Sequence, residues 1–141
     1  MKNIVLDTNV LLSFHFQDAD KNQQKAINHL VMEIRKGIVS GHISLITFYQ
    51  LLHFIDRSLR SPKEAAKRGY TYLEFLAILP FEPSTLAEQD YRDWPDYEDG
   101  LQHACAMSAS ADIIVTTNLH DFYASNIPVV DPLNFVLQYL L

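Results

Sequence analysis

The sequence is short of several features, and each shortage excludes a class of protein. One cysteine, Cys105, stands among 141 residues, which excludes an intrachain disulfide framework and a zinc site of several cysteines. No apolar run approaches the roughly 20 residues that span a bilayer. The first residues do not form a signal peptide, because Met1 and Lys2 lead directly into a short apolar run and an acid. We therefore expect a cytoplasmic protein without membrane contact.

Glycine and positive charge are also scarce. The four glycines, at positions 37, 41, 69 and 100, form neither a P-loop nor a dinucleotide-binding fingerprint. Eleven basic residues stand against 17 acidic ones, which gives a net charge of −6. The chain as a whole does not attract nucleic acid over long range. A nucleic-acid function therefore needs a local basic patch or metal ions.

What the sequence has is an alternation of strand and helix patterns. Short β-branched or aliphatic runs predict five strands: Asn3 to Leu6, Ile43 to Ile46, Ile78 to Phe81, Ile113 to Thr116, and Pro128 to Val130. Apolar spacing and end signals predict six helices: Ala19 to Lys36, Phe48 to Leu59, Pro62 to Phe75, Thr85 to Tyr91, Tyr97 to Ala109, and Leu133 to Leu140. This alternation predicts a single α/β domain over residues 1–141, a three-layer α/β/α sandwich with a central parallel sheet of about five strands.

Acidic residues follow two of these strands and begin one helix. Asp7 comes directly after the first strand, and Asn118 and Asp121 follow the fourth. Glu98 and Asp99 lie in the first turn of the helix before the fourth strand. Connecting helices begin at the sheet edge where parallel strands have their carboxyl ends. These side chains are therefore expected to meet at one edge, where α/β proteins bind ligands.

Carboxylates gathered at one place repel one another, so such a cluster either raises its pKa values or binds a cation. Oxygen ligands favour hard ions such as Mg²⁺ or Mn²⁺. These ions bridge phosphate oxygens and lower the pKa of bound water. Hydrolysis of a phosphodiester by a metal-activated water is the chemistry that this cluster predicts.

Each acid also has a purely structural interpretation. Asp7 is a suitable cap for a helix that begins at the next residue. Glu98 and Asp99 suit a helix dipole, with Asp96 as the cap, and Asp121 suits an exposed turn. Independent caps give no reason for acids from three distant segments to meet at one edge, which favours the metal site.

Three segments resemble motifs of the PIN-domain family of metal-dependent ribonucleases. They are IVLDTNVLL from Ile4, DYEDGLQHA from Asp96 and ADIIVTTNLHDF from Ala111. The order and spacing of these motifs match the family nearly from end to end. The resemblance implies a PIN-like fold and an endoribonuclease that uses Mg²⁺ or Mn²⁺. Very often such a protein is the toxin of a bacterial toxin–antitoxin pair.

The resemblance and the residues together give a set of candidate site residues. The metal ligands are Asp7, Asp99 and Asp121, with Glu98 beside them. Gln50 and Asn118 join the three aspartates in catalysis. Substrate contacts are assigned to Thr116, Asn9, Arg57, Arg60, Lys63, Lys67 and Arg68.

Gln50 departs from the family pattern, which places a glutamate early in the helix after the second strand. An amide offers an oxygen to a metal but removes one negative charge. Glu98 partly replaces that charge in our interpretation, because it lies next to Asp99. The alternative is a catalytically degenerate PIN-fold module that binds a protein partner or RNA.

The basic residues between positions 57 and 68 form the one basic patch of the chain, with Glu64 as the only acid among them. They suit phosphate contacts with an RNA substrate, or they are simply the solvated surface of a helical hairpin. An aspartyl phosphatase is disfavoured, because Asn9 stands where its second acid is expected. As a toxin, the chain is expected to bind an antitoxin helix against the apolar faces of the predicted helices Ala19 to Lys36 and Phe48 to Leu59, and to form homodimers.

Overall fold

The computed structural model describes residues 2–141. Its strands are β1 Asn3–Leu6, β2 Ser40–Ile43, β3 Ala77–Ile78, β4 Ile113–Val115 and β5 Val129–Val130. They form one parallel sheet in the order β3-β2-β1-β4-β5. The α-helices are α1 Thr8–Phe16, α2 Lys21–Arg35, α3 Leu45–Leu59, α4 Pro62–Tyr70, α5 Ser84–Glu88, α6 Tyr97–Ser108 and α7 Pro132–Phe135. Shorter 3₁₀ turns span Thr71–Glu74, Tyr91–Asp93 and Leu119–Phe122, and a π-helical segment, Val136–Leu140, follows α7.

The central strand β1 shows why the molecule has three layers. Ile4 and Leu6 point into a core shared with α1, α2 and α3. Val5 points to the other face and packs in a second core with Trp94 and Phe122. Successive side chains of a strand face opposite ways, so an uninterrupted apolar strand needs a cover on both sides. The predicted α/β/α sandwich with a parallel sheet of five strands is confirmed.

The predicted second strand, Ile43 to Ile46, is wrong. The strand β2 ends at Ile43, and Ser44 caps α3 by accepting a hydrogen bond from the Thr47 N–H at 3.0 Å. Leu45 therefore begins a helix three residues before the predicted start at Phe48. The serine cap overrides the strand preference of Ile46, the β-branched residue two positions later, because it satisfies an amide that the helix start leaves free.

Other bounds differ in smaller ways. The predicted helix Pro62 to Phe75 divides into α4 and the 3₁₀ turn after it. The predicted strand Ile78 to Phe81 is reduced to β3, because Pro80 has no N–H for the sheet. The predicted helix Thr85 to Tyr91 is limited to α5, followed by a separate 3₁₀ turn, and the last helix begins at Pro132.

The helix α1 was expected only in the structural interpretation of Asp7, and it is present. Asp7 has extended backbone angles (φ −66°, ψ 154°) and its carboxylate accepts a hydrogen bond from the Thr8 N–H at 2.8 Å. The capping role of Asp7 is thus confirmed. It does not exclude a functional role, because the carboxylate also lies at the carboxyl end of β1. No helix in residues 2–141 has the length and apolar character to cross a membrane.

Candidate active site

Asp7 is the most enclosed acid of the site. Asp7 as a whole residue is 3% exposed, and three donors reach its carboxylate. Oδ1 accepts from the Thr8 N–H at 2.8 Å and from Gln102 Nε2 at 2.9 Å, and Oδ2 accepts from Thr116 Oγ1 at 2.7 Å. Burial raises the pKa of Asp7, and the three hydrogen bonds oppose that rise. A carboxylate has about four acceptor positions, so Asp7 keeps one for a ligand.

A buried network of hydroxyl groups and one amide holds Asp7 in place. Gln102 Nε2 also donates to Thr8 Oγ1 at 3.1 Å, and Gln102 Oε1 accepts from Thr47 Oγ1 at 2.9 Å. The hydroxyls of Thr8 and Thr47 lie 2.8 Å apart. These contacts join α6, α1 and α3 beneath the site. Gln102 therefore fixes the orientation of Asp7 from a helix that is 95 residues away in sequence.

Gln102 was missed by sequence reasoning. The available signal was its spacing on α6, because it lies three residues after Asp99 and four before Ala106. That spacing places all three on one helix face, and all three are buried. A glutamine on a buried face needs polar partners, so this spacing was the signal from which a buried network could have been predicted.

Asp99 lies in the first turn of α6, where Asp96 caps the helix by accepting from the Glu98 N–H at 2.8 Å. Asp99 as a whole residue is 7% exposed. Burial raises the pKa of Asp99 to about 7, with further contributions from the charges of Asp7, Asp96, Asp121 and Glu98. No hydrogen bond within residues 2–141 offsets this rise. Asp99 is therefore a buried acid that lacks a partner for its negative charge.

Gly100 allows the start of α6 to pack closely on the neighbouring loop. A Cβ on Gly100 would lie 3.0 Å from Trp94 Cγ, which is tighter than ordinary contact. The Gly100 carbonyl accepts from Gln89 Nε2 at 2.8 Å. These contacts fix the turn that carries Asp99.

Glu98 and Gln50 meet across the gap between α6 and α3. Gln50 Nε2 donates to Glu98 Oε1 at 2.6 Å. Gln50 Oε1 is buried and has no hydrogen-bond partner in the part of the chain that the structure describes. Gln50, the residue that departs from the family pattern, is thus paired: its amide on α3 binds the carboxylate of Glu98 on α6.

The segment after β4 brings three more candidate residues to the same edge. Thr116 is fully buried, and its hydroxyl accepts from the Asn118 N–H at 3.0 Å while it donates to Asp7. The Asn118 carbonyl accepts from the Asp121 N–H at 3.1 Å. Asp121 Oδ1 lies 3.0 Å from Nε2 of the exposed His120, a neighbour that sequence reasoning did not consider. Asp121 is near enough to raise the pKa of Asp99.

Metal coordination is not formed by the side chains as they stand. Among residues 2–141, no three His, Cys, Asp or Glu side chains lie close enough to hold one ion. Asp121 is turned to His120 and Glu98 to Gln50. The chemistry nevertheless fits a hard divalent cation, because the donors are carboxylates and Asp99 lacks a counter-charge.

The basic residues lie on a separate surface. All five are exposed, with Arg57 and Arg60 at the end of α3 and Lys63, Lys67 and Arg68 on α4. Arg60 follows Gln50 by ten residues, which is about 15 Å along a helix axis. The remaining predicted substrate residue, Asn9, is partly buried in α1. The basic patch therefore begins about 10 Å beyond Gln50 along α3, at Arg57.

Comparison with known proteins agrees with this fold and site. A family model described as PIN domain matches residues 3–120, and the chain belongs to the PIN domain family. PIN domains are generally nucleases that use divalent metal ions.

No curated protein matches the chain. Among solved structures, the chain resembles one in the crystal structure of VapBC2 from Rickettsia felis bound to a DNA fragment from their promoter. The TM-score is 0.63 with 18% identity, over 91% of this chain and 96% of that chain. A resemblance at this identity supports the fold.

Proposed function

We propose that this protein is an endoribonuclease that hydrolyses RNA phosphodiester bonds with the help of Mg²⁺ or Mn²⁺. The observation that carries this proposal is Asp99, an acid buried beside Asp7 and Asp121 without a partner for its charge. Burying an isolated carboxylate is costly, and proteins retain such a residue where it performs a function. PIN-family membership gives the class of chemistry.

Asp7, Asp99 and Asp121 would hold the ion, with Glu98 beside them. A divalent ion there supplies positive charge to phosphate oxygens and lowers the pKa of water. The protein itself does two things. Thr116, Gln102 and the Thr8 N–H keep the Asp7 carboxylate in one orientation. Without a cation, the acids repel a phosphate group. Nucleic acid would therefore bind only to a site in which a cation neutralises their charge.

RNA is proposed as the substrate, and the basic patch on α3 and α4 as its second contact. The chain has a net charge of −6, so phosphate binding depends on this local patch. Its side chains are exposed, and only Arg68 has an acidic neighbour in the patch, Glu64 at 3.8 Å. An RNA bound at the acids would extend along α3 toward Arg57 and Arg60.

We further propose that the protein acts in the cytoplasm as the toxin of a toxin–antitoxin pair. The name VapBC2 of the structural neighbour denotes such a pair, there bound to promoter DNA. The chain offers exposed apolar side chains on α3 to a partner helix: Leu45, Tyr49, Phe54 and Leu59 are 38–65% exposed. Apolar side chains along one helix suit an amphipathic antitoxin helix or a second copy of the chain.

RNA cleavage tests the nuclease proposal. A mixed RNA pool is incubated with the purified protein in Mn²⁺, with EDTA, and with the variants Asp99→Asn and Asp18→Asn. Asp18 is exposed and remote from the acids in sequence, so its variant is a matched control for the loss of one charge. We expect cleavage by the wild type and Asp18→Asn only. Equal cleavage by Asp99→Asn would overturn the assignment of the site.

The second candidate function is a binding module without catalysis. It is favoured by the neutral Gln50 and by the lack of a formed three-residue metal site among residues 2–141. The variant Gln50→Glu separates the two functions. A wild type that does not cut RNA, beside a Gln50→Glu variant that does, would show that the site has been disarmed and would favour the binding module.

A further inference from the structure

The contact between Gln50 and Glu98 has only one favourable orientation. The amide places its NH₂ against the carboxylate at 2.6 Å. The opposite orientation would place two oxygens against each other. Within residues 2–141, Gln50 Oε1 then lacks a partner, and a buried acceptor without one destabilises the fold. The sequence tolerates this cost, which indicates that the position of Glu98 matters.

Glu98 lies at the same sheet edge as the other acids. It precedes Asp99 in the first turn of α6, and its carboxylate contacts Gln50 on α3. Glu98 is also anchored from two sides, because its backbone N–H binds Asp96 and its carboxylate binds Gln50. A first-turn glutamate that served only the helix dipole would need no partner on α3.

We propose that Glu98 is the fourth acidic member of the cation site and that Gln50 is its positioning residue. The negative charge that α3 lacks at Gln50 is, on this account, supplied from α6 across the hydrogen bond. This inference rests on the proposed metal site. If Glu98 supplies the charge that Gln50 lacks, the charge has moved from α3 to α6 and the site is complete. Only a charge that is lost from both helices implies a degenerate site.

The proposal predicts an asymmetry among the single variants. Glu98→Gln keeps a hydrogen bond, because an amide can accept from the Gln50 NH₂, but it removes the charge. Gln50→Glu brings two carboxylates to hydrogen-bond distance, which destabilises the protein without metal. The exchange Gln50→Glu with Glu98→Gln restores one amide and one carboxylate with their roles reversed.

Mn²⁺ titration calorimetry on the full chain tests the proposal without any need for catalysis. We expect Glu98→Gln to weaken Mn²⁺ binding about tenfold or more, since one charge a few ångströms away is worth on the order of a factor of ten. The exchanged double variant should bind within about threefold of the wild type. Gln50→Leu, which leaves Glu98 unanchored, should weaken binding by about threefold.

Asp18→Asn is the matched control. It removes one charge at an exposed position between α1 and α2, outside the site. We expect a change of about twofold or less in Mn²⁺ affinity. A Glu98→Gln variant no weaker than Asp18→Asn would overturn the role of Glu98. If the exchanged double variant binds Mn²⁺ as weakly as Glu98→Gln alone, the claim that the two residues can exchange roles is overturned.

The same titration separates this inference from the proposed function. A wild type that binds Mn²⁺ and loses binding in Asp99→Asn, but not in Glu98→Gln, would contradict this inference and leave the nuclease site intact. A wild type that binds no Mn²⁺ would overturn both. Thermal unfolding of each variant without metal, measured in parallel, shows which proteins are folded.

Discussion

The interior and the rim of the acidic site are built in opposite ways. In the interior, the carboxylate of Asp7 accepts three hydrogen bonds from a network that joins β1, α3, α6 and the end of β4. At the rim, Asp99 has no donor within residues 2–141, and Asp121 is turned to an exposed histidine. Asp7 and Asp99 are both buried, but only Asp7 has hydrogen-bond donors from the rest of the fold.

This difference indicates how the site would work. In the interior, the Asp7 carboxylate is already oriented by hydrogen bonds from buried residues. The rim carries charge that the protein alone does not neutralise. In the proposed function, a cation would be the missing partner of the rim, and the interior would set where that cation binds. The predictions that follow separate these two halves.

The largest expected contrast is between Asp7→Asn and Asp99→Asn. Both should reduce RNA cleavage about a hundredfold or more, because a metal ion supplies several kcal/mol in the transition state. Their effects on the free energy of unfolding should differ. Asp7→Asn turns an NH₂ toward buried donors and should lose about 1–3 kcal/mol. Asp99→Asn removes an unpartnered buried charge and should be as stable as the wild type or more so.

Denaturant unfolding without metal measures this contrast. The Asp18→Asn variant serves as the control for a general charge effect. The account fails if Asp99→Asn is less stable than Asp7→Asn.

The next contrast lies within the interior, between Gln102→Leu and Thr47→Val. Gln102→Leu removes a donor to Asp7 and leaves the Thr47 hydroxyl without its acceptor. It should cost about 1–3 kcal/mol and weaken Mn²⁺ binding. Thr47→Val breaks the same network one bond away from Asp7 and should cost about 1 kcal/mol with little change in Mn²⁺ affinity. Equal Mn²⁺ affinities for the two variants would show that Gln102 serves the packing of the core and does not orient Asp7 for metal binding.

A pH dependence should distinguish the rim from the interior. The pKa of Asp99 is about 7 in the folded protein, against 3.8 as its ordinary value. The folded state therefore holds a proton that the unfolded chain releases, so the contribution of Asp99 to stability is full below pH 4 and is lost as pH rises through 7. We expect thermal stability of the metal-free protein to fall from pH 5 to pH 8.

The control for this dependence is Asp99→Asn, in which the fall should be smaller. Added Mn²⁺ should raise the stability of the wild type more at pH 8 than at pH 5. A pH profile unchanged in Asp99→Asn would show that another group is responsible.

The smallest expected effect belongs to the basic patch. Lys63→Gln with Lys67→Gln should weaken RNA binding by about two- to threefold and should reduce its salt dependence, since each phosphate contact releases a counterion. Binding is measured with Asp99→Asn to prevent cleavage. Lys25→Gln, on the exposed surface of α2, is the control. Unchanged salt dependence in the double variant would mean that the patch is only solvated surface.

The sequence predicted those parts of the fold whose signals are local. The strand β1 and the strand β4 are apolar runs with polar ends, and α6 begins at an aspartate cap. The second strand was misplaced because apolar residues lie on both sides of the boundary between β2 and α3. Only Ser44 between them marks where the helix begins. The helix α1 has a nearly continuous apolar sequence without the one-face spacing of a surface helix.

For the site, the sequence predicted which acids reach the sheet edge but not how each is supported. The order of strands and helices is enough to bring Asp7, Asp99 and Asp121 to one edge. The hydrogen bonds from Gln102 to Asp7 and from Gln50 to Glu98 join residues 95 and 48 positions apart. Contacts of that kind depend on how helices pack across the sheet, which no local pattern specifies.

The most direct test of the account is the position of Mn²⁺ in crystals of the wild-type protein, located by anomalous scattering at pH 8. We predict one ion at the carboxyl edge of the sheet, bound by Asp7 Oδ2 and Asp99, with Asp121 turned away from His120 toward the ion. An ion elsewhere on the surface, or none in crystals grown with abundant Mn²⁺, would contradict the account.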